Sequence, residues 1–242
     1  MDKKKLRLQV FLAKAGLGSR RHCESLIEEG RVAVNGETVQ QQGITVNPDS
    51  DTITLDGKKV RIEKNKIYIA LHKPPGYMCS HRDDKGRPLI YQLVSPIIKE
   101  RLFTVGRLDF LSSGLILLTN DGDFADKIMH PSGCIEKEYL VETKKPVEKT
   151  FLDKYKKGIY IKGIKYTLKR YKWYGPNKFA LILEEGKNRE IRNILHAWNI
   201  PVARLHRIRI GPVQLATLRP GEFRKLTERE IKGLINADNS GN

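Results

Sequence analysis

The stretch Gly114 to Thr119, Gly-Leu-Ile-Leu-Leu-Thr, constrains the fold more than any other part of the chain. Ser112 and Ser113 stand before it and Asn120, Asp121 and Gly122 after it, so it reads as a short, buried apolar strand between two turns. The loop feeding that strand, Gly106-Arg-Leu-Asp-Phe-Leu-Ser-Ser, carries a single carboxylate, Asp109. A carboxylate anchored to a rigid element has the fixed placement that covalent catalysis requires, which makes Asp109 the candidate nucleophile. Arg107 precedes it closely, and an opposite charge within about 4–6 Å favours the ionised form. The plain alternative is a surface salt bridge or a turn aspartate.

Before this run, Leu6, Val10, Leu12 and Ala13 fall at helical spacing and Gly16-Leu17-Gly18 ends the segment. Ser19 is placed to cap a second helix, Arg20 to Glu29, with Gly30 at its end. Val32-Ala-Val-Asn-Gly36 then reads as a strand entering an Asn-Gly hairpin turn. Residues 1–62 are expected to form this small module, Val60 to Lys66 a polar linker, and residues 66–242 a larger domain. In the larger domain strands are expected at 67–71, 115–119, 138–142, 159–161, 179–183 and 202–210. Helices are expected at 89–94, 124–129, 149–156, 188–198 and 228–234. Their irregular alternation predicts an α+β class: a mixed, mainly antiparallel sheet with flanking helices.

The charge balance narrows the partners. Formal net charge is +17, which suits a polyanion, because lysine and arginine that neutralise phosphates release counterions. Residues 1–65 contribute +3 and residues 66–242 contribute +14, so the larger domain is expected to grip the polyanion itself. Within the small module Arg20 and Arg21 fall in the first turn of a helix, where the macrodipole disfavours cations. That placement points to a phosphate site rather than to folding, with a solvated charge pair as the alternative.

Three cysteines, Cys23, Cys79 and Cys134, are too few and scattered for a disulfide framework or a zinc site. No HxxxH or HExxH spacing relates the six histidines, and neither a metal nor a cofactor is expected. The basic amino terminus has no apolar segment behind it and no run of about 18 apolar residues occurs. A soluble cytoplasmic protein, free of membranes and monomeric, is expected.

Gly106 to Gly122 resembles the catalytic motif of the RsuA/RluB-type RNA pseudouridine synthases, in which GRLD precedes a Ser-Gly-Leu strand. The resemblance continues through Lys137-Glu-Tyr-Leu-Val141, Glu185-Gly-Lys-Asn-Arg-Glu-Ile-Arg192 and Arg207-Ile-Arg-Ile-Gly-Pro212. It includes the amino-terminal fifty or so residues, which look like an S4 RNA-binding domain of alpha-L-like fold. It implies an isomerase that turns a uridine of ribosomal RNA into pseudouridine. The spacing of the last motif and the compact carboxyl terminus are most similar to the RluB branch, implying large-subunit RNA. The RsuA branch on small-subunit RNA, a noncatalytic ribosome-assembly factor and a glycoside-type hydrolase are the competing readings.

The resemblance assigns Tyr139 as a platform for the extruded base; strand alternation puts Lys137, Tyr139 and Val141 on one sheet face. A core tyrosine is the alternative. In the helix after Asn188, Ile191, Ile194, Leu195 and Trp198 form an apolar stripe, leaving Arg189, Arg192, Asn193 and His196 on the other side. Arg192 matches the family's basic partner of the nucleophile. Arg107 is assigned either to Asp109 or to the space the flipped base leaves. Lys187 and Arg189 are expected to touch RNA, and Arg204, Arg207 and Arg209 to form a basic ledge for its backbone, with a charge-guarded strand edge as the alternative.

Overall fold

A computed structural model describes residues 5–236 of the 242-residue chain. The amino-terminal segment Met1 to Lys4 lies outside the described residues. The chain divides into two compact units, the first running through Ile67 with Glu100–Leu102 and Asn120–Gly122, the second holding the remainder.

The first unit comprises β1 (Leu6–Arg7), α1 (Leu8–Lys14), α2 (Arg20–Glu28), β2 (Val32–Val34), β3 (Glu37–Val39), β4 (Thr45–Val46), β5 (Ile53–Leu55) and β6 (Lys58–Lys59). Ser19 caps α2, its Oγ accepting from the His22 backbone N–H at 3.2 Å. Asn35 and Gly36 both have positive φ, 53° and 90°, the backbone a two-residue turn between β2 and β3 demands. Leu8, Phe11, Leu12, Leu26, Ile27, Val32 and Ile53 close the core. Cys23 is buried among them, and desolvation pushes its thiol up to about 11. Val60 and Ile62 pack on the same core, so the segment read as a linker begins as part of this unit.

The second unit is built on β7 (Tyr68–Lys73), β8 (Phe103–Val105), β9 (Ser113–Thr119), α3 (Gly122–Met129), β10 (Lys137–Thr143), α4 (Lys149–Lys157), β11 (Ile159–Ile161), β12 (Ile164–Tyr166), β13 (Arg170–Gly175), β14 (Lys178–Leu183), α5 (Glu190–Ala197), β15 (Val202–Ile210), β16 (Val213–Gln214), β17 (Phe223–Lys225) and α6 (Glu228–Ile235). One mixed sheet runs β13-β14-β10-β15-β9-β7-β17, with β16 beside β15 and β8 beside β9. Every pairing in it is antiparallel except β9 with β15. The chain is therefore of the α+β class expected.

All seven residues of β9 are buried, which explains its unbroken apolar sequence. Its first two residues run parallel to His206 and Arg207 of β15, while its far half pairs with β8. Val141, Phe179, Leu181 and Leu183 of the sheet pack with Leu152 and Tyr155 of α4 and Ile191 and Ile194 of α5. Leu115 and Leu117 pack instead with Phe124 and Ile128 of α3 and Leu234 of α6.

Two expected helices differ. Arg189 adopts left-handed φ, 50°, immediately before α5, so the helix begins at Glu190 rather than Asn188. Leu89 to Val94 contains only a 3-10 turn, Ile90–Leu93.

Candidate active site

The loop from β8 to β9 delivers Asp109 to a cleft of about 980 Å³ in the second unit. Its side chain is 28% exposed, and Oδ2 lies 3.3 Å from Arg192 Nε and 3.6 Å from Arg189 Nη1. The backbone beneath it is fixed twice. Ser112 N donates to the Asp109 carbonyl at 3.0 Å. Lys73, with no exposed surface, donates through Nζ to the carbonyls of Asp109 (3.2 Å), Phe110 (3.2 Å), Ser112 (2.6 Å) and Pro74 (3.0 Å). A buried ammonium costs several kcal/mol unless its protons are taken, and the turn carrying the carboxylate supplies the acceptors. Desolvation still pulls this lysine down to about 8.

Arg192 reaches from α5, whose apolar stripe Ile191, Ile194 and Leu195 docks the helix on the sheet. Trp198, the fourth member of the expected stripe, lies past the helix end and is 42% exposed, edge-on to Phe151 at 5.3 Å. Arg192 also donates from Nη2 to Ser112 Oγ at 3.1 Å. It thus spans the first and last anchored residues of the Asp109 turn, and burial holds its guanidinium below the ordinary range. Glu190 fixes the start of the helix: buried, it accepts from Tyr155 Oη at 2.9 Å and from the Lys187 backbone N–H at 3.3 Å. Desolvation raises its carboxyl above the ordinary range.

Tyr139 on β10 lines the same cleft, while the rest of its ring packs against the core. Its Oη accepts from Arg207 Nη1 at 3.3 Å, and the Arg207 guanidinium carbon lies 5.8 Å from the ring centroid. Lys137 lines the cleft as well; its Nζ donates to the Glu184 carbonyl at 2.8 Å, and burial lowers it to about 8.

Two expectations need correction. Arg107 is exposed and lines the cleft, but forms no ion pair with Asp109; Arg189 and Arg192 take that place. The basic ledge of Arg204, Arg207 and Arg209 does not form. A bulge in β15 puts Arg207 opposite Tyr139 and Arg209 opposite Glu138, so the two arginines leave opposite faces of the sheet. Arg207 is 4% exposed, and Arg209 is bound by Glu138 Oε2, Glu136 Oε2 and the Gly211 carbonyl, each at 2.9 Å. Arg204 is 51% exposed and sits 3.8 Å from Glu142. Of the remaining basic residues, Lys187 lines the cleft while its Nζ donates to the Lys165 carbonyl at 2.8 Å. Arg20 and Arg21 are exposed at the start of α2 in the first unit. Among the described residues no cluster of three or more His, Cys, Asp or Glu could hold a metal ion.

A cleft lined by arginines and lysines that fixes one carboxylate beside a tyrosine ring, in a chain that also carries a small helix-and-strand module, has the features of an enzyme acting on a polyanion. Comparison with known proteins makes the class specific. Residues 67–197 match the RNA pseudouridylate synthase family and residues 6–53 match the S4 domain. An RNA pseudouridine synthase of Borreliella burgdorferi is 43% identical over 94% of this chain and 92% of its own length. The ribosomal large subunit pseudouridine synthase B of Bacillus subtilis is 38% identical over 94% of this chain and 95% of its own. A crystal structure of a pseudouridylate synthase superposes with a TM-score of 0.70 at 32% identity, covering 95% of this chain and 99% of that one. The chain belongs to the RNA pseudouridine synthases, isomerases of uridine, and carries an S4 RNA-binding domain.

Proposed function

We propose that this chain isomerises one specific uridine of large-subunit ribosomal RNA, with Asp109 as nucleophile. The observation carrying the reading is the fixation of Asp109 at the cleft by Arg192, 3.3 Å away, beside Tyr139. The name of the B. subtilis relative supports the choice of substrate.

Isomerisation exchanges a C1′–N1 bond for a C1′–C5 bond with no net change in atoms or electrons. The uridine leaves its stack, which costs a few kcal/mol, and settles on Tyr139. Asp109 then attacks either C1′, displacing N1, or C6, adding across the C5–C6 double bond, after which the C1′–N1 bond breaks. The base turns, C5 bonds to C1′, the carboxylate departs, and the C5 proton is lost while N1 regains one. Arg192 and Lys73 hold the attacking group in place throughout, by its side chain and its backbone. Arg107 and Lys187 meet the RNA around the extruded nucleotide, and Arg20 and Arg21 add phosphate contacts from the S4 domain. Among the described residues no helix is long and apolar enough to cross a membrane; the reading places the protein in the cytoplasm, as a monomer on its RNA.

Pseudouridines are to be mapped in ribosomal RNA from cells with and without the gene, and from deletion cells carrying Asp109→Asn. One large-subunit pseudouridine is expected to vanish on deletion and to stay absent with the variant. Loss from small-subunit RNA would reassign the substrate. Restoration by Asp109→Asn would reject the nucleophile and favour a binding factor.

A further inference from the structure

Arg207 is a buried cation for which the fold supplies no carboxylate. It is 4% exposed, and it forms no ion pair among the described residues. Its Nε donates to the Leu115 carbonyl at 2.7 Å and its Nη1 to Tyr139 Oη at 3.3 Å. Its Nη2 is buried with no hydrogen-bond partner among the described residues. Burial of an unpaired charge is strongly unfavourable, and an unsatisfied donor adds to the cost. The same strand shows that pairing is available: Arg209, two residues on, is closed by Glu136 and Glu138 on the opposite face. A buried donor left open next to one fully satisfied indicates a partner supplied from outside the chain.

The chemistry of the cleft says which partner. Arg207 lines it together with Tyr139, Asp109 and Lys137, and Lys137 likewise has no carboxylate partner among the described ion pairs. In the reaction proposed above, negative charge appears on the pyrimidine whichever carbon is attacked. Attack at C1′ sends the C1′–N1 electron pair away with the base; attack at C6 pushes the C5–C6 π pair toward the C4 oxygen. In both cases the ring's carbonyl oxygens carry the charge until C5 bonds to C1′.

We infer that Arg207 is a catalytic residue: its open Nη2 donor takes a carbonyl oxygen of the extruded uracil and, with Lys137 behind it, stabilises the charge that develops on the ring. The bond from Nη1 to Tyr139 Oη holds the stacking platform and this donor in one fixed relation. A donor set before the charge appears acts on the transition state more than on the bound uridine. The inference rests on the proposed isomerisation and adds to it a charged group that acts on the base rather than on Asp109.

The test uses synthetic RNA carrying, at the uridine found by mapping, either uridine or a single 5-fluorouridine, whose fluorine itself stabilises an anionic ring. The rate at which that nucleoside is consumed is followed with enzyme in excess. Arg207→Gln is expected to slow the uridine substrate about 100-fold and the 5-fluoro substrate no more than about 10-fold, because fluorine replaces part of the lost stabilisation. Equal losses on both substrates, or no loss on either, would overturn the inference and leave Arg207 a support for Tyr139. If thermal melting shows Arg207→Gln unfolded, Arg207→Lys carries the test. It is expected to raise the rate of the 5-fluoro substrate relative to uridine about threefold, since one shorter ammonium replaces a forked donor; an unchanged ratio overturns the inference. Failure of the wild-type enzyme to consume uridine in this RNA would instead reject the proposed substrate.

Discussion

Gly114 and Arg207 approach so closely that a side-chain carbon on Gly114 would stand 2.2 Å from the Arg207 carbonyl oxygen and 2.6 Å from its nitrogen. Gly114 also has φ of +105°, which L side chains rarely adopt. The glycine of the Ser-Ser-Gly-Leu run is therefore the point where β9 can lie parallel to β15, and it brings the loop of Asp109 next to the strand of Arg207. Gly114→Ala is expected to destabilise the second unit by more than about 3 kcal/mol, since the clash is with backbone that cannot step aside. Urea unfolding checks this, and an unshifted midpoint would contradict the close approach.

Arg192 touches both ends of the Asp109 turn, the carboxylate and Ser112 Oγ. Arg192→Gln is expected to lower the single-turnover rate about 100-fold, the cost of a slightly misplaced reacting group, with RNA affinity changed little. Arg192→Lys should fail to restore the rate, because one ammonium cannot span two partners as a planar fork does. A rate restored by lysine would show that charge alone suffices.

His206 supplies a pH signature. It is buried, shares a hydrogen bond with Ser113 Oγ at 2.8 Å and lies 5.1 Å from the His72 ring. Desolvation, with the charges of Arg204 and His72 adding to it, holds its imidazole down to about 4. In the unfolded chain it titrates near pH 6.5, so between the two values the unfolded state binds more protons. Its contribution to stability is complete above pH 6.5 and is lost as pH falls through 6.5 toward 4. Urea midpoints of wild type and His206→Gln should diverge in slope across that window, the wild type falling more steeply; parallel curves would refute the assignment.

Arg20 and Arg21 sit in the first turn of α2. Replacing both with alanine is expected to weaken RNA binding and to flatten the salt dependence of log K by about 1–2 units of slope, one phosphate for each arginine. Titrations at several salt concentrations measure it, and an unchanged slope would remove these residues from the interface.

The sequence revealed the elements whose physics is local. The apolar run of β9, the Ser19 cap, the Asn35-Gly36 turn and the stripe on α5 each depend on neighbours a few residues away. Short strands with charged or alternating sequence, such as β13 with Arg170 and Lys172, carry no such mark, because their pairing partners decide them. At the site the same division holds. Asp109 stands out by its loop, and Tyr139 and Arg192 by motif resemblance; Asp109 and Tyr139 line one cleft, and Arg192 reaches the Asp109 carboxylate. Lys73, Glu190 and Ser112 escaped notice because their importance comes from burial, which brings Lys73 to Asp109 across 36 positions. By its sequence alone, Lys73-Pro74-Pro75-Gly76 marks only a turn. Arg107 was matched with Asp109 on adjacency alone, whereas the partner arrives from a helix some eighty residues later.

The extra residue that β15 inserts between Arg207 and Arg209 opposite β10 decides which face each of them takes. With it, one guanidinium lines the cleft and the next is held by glutamates on the opposite face. Absorbed anywhere else along the strand, that residue would leave both guanidiniums on one face, because side chains two apart on a regular strand point the same way. Exchange of one apolar side chain for another along β15 is thus a far milder event than a move of the bulge.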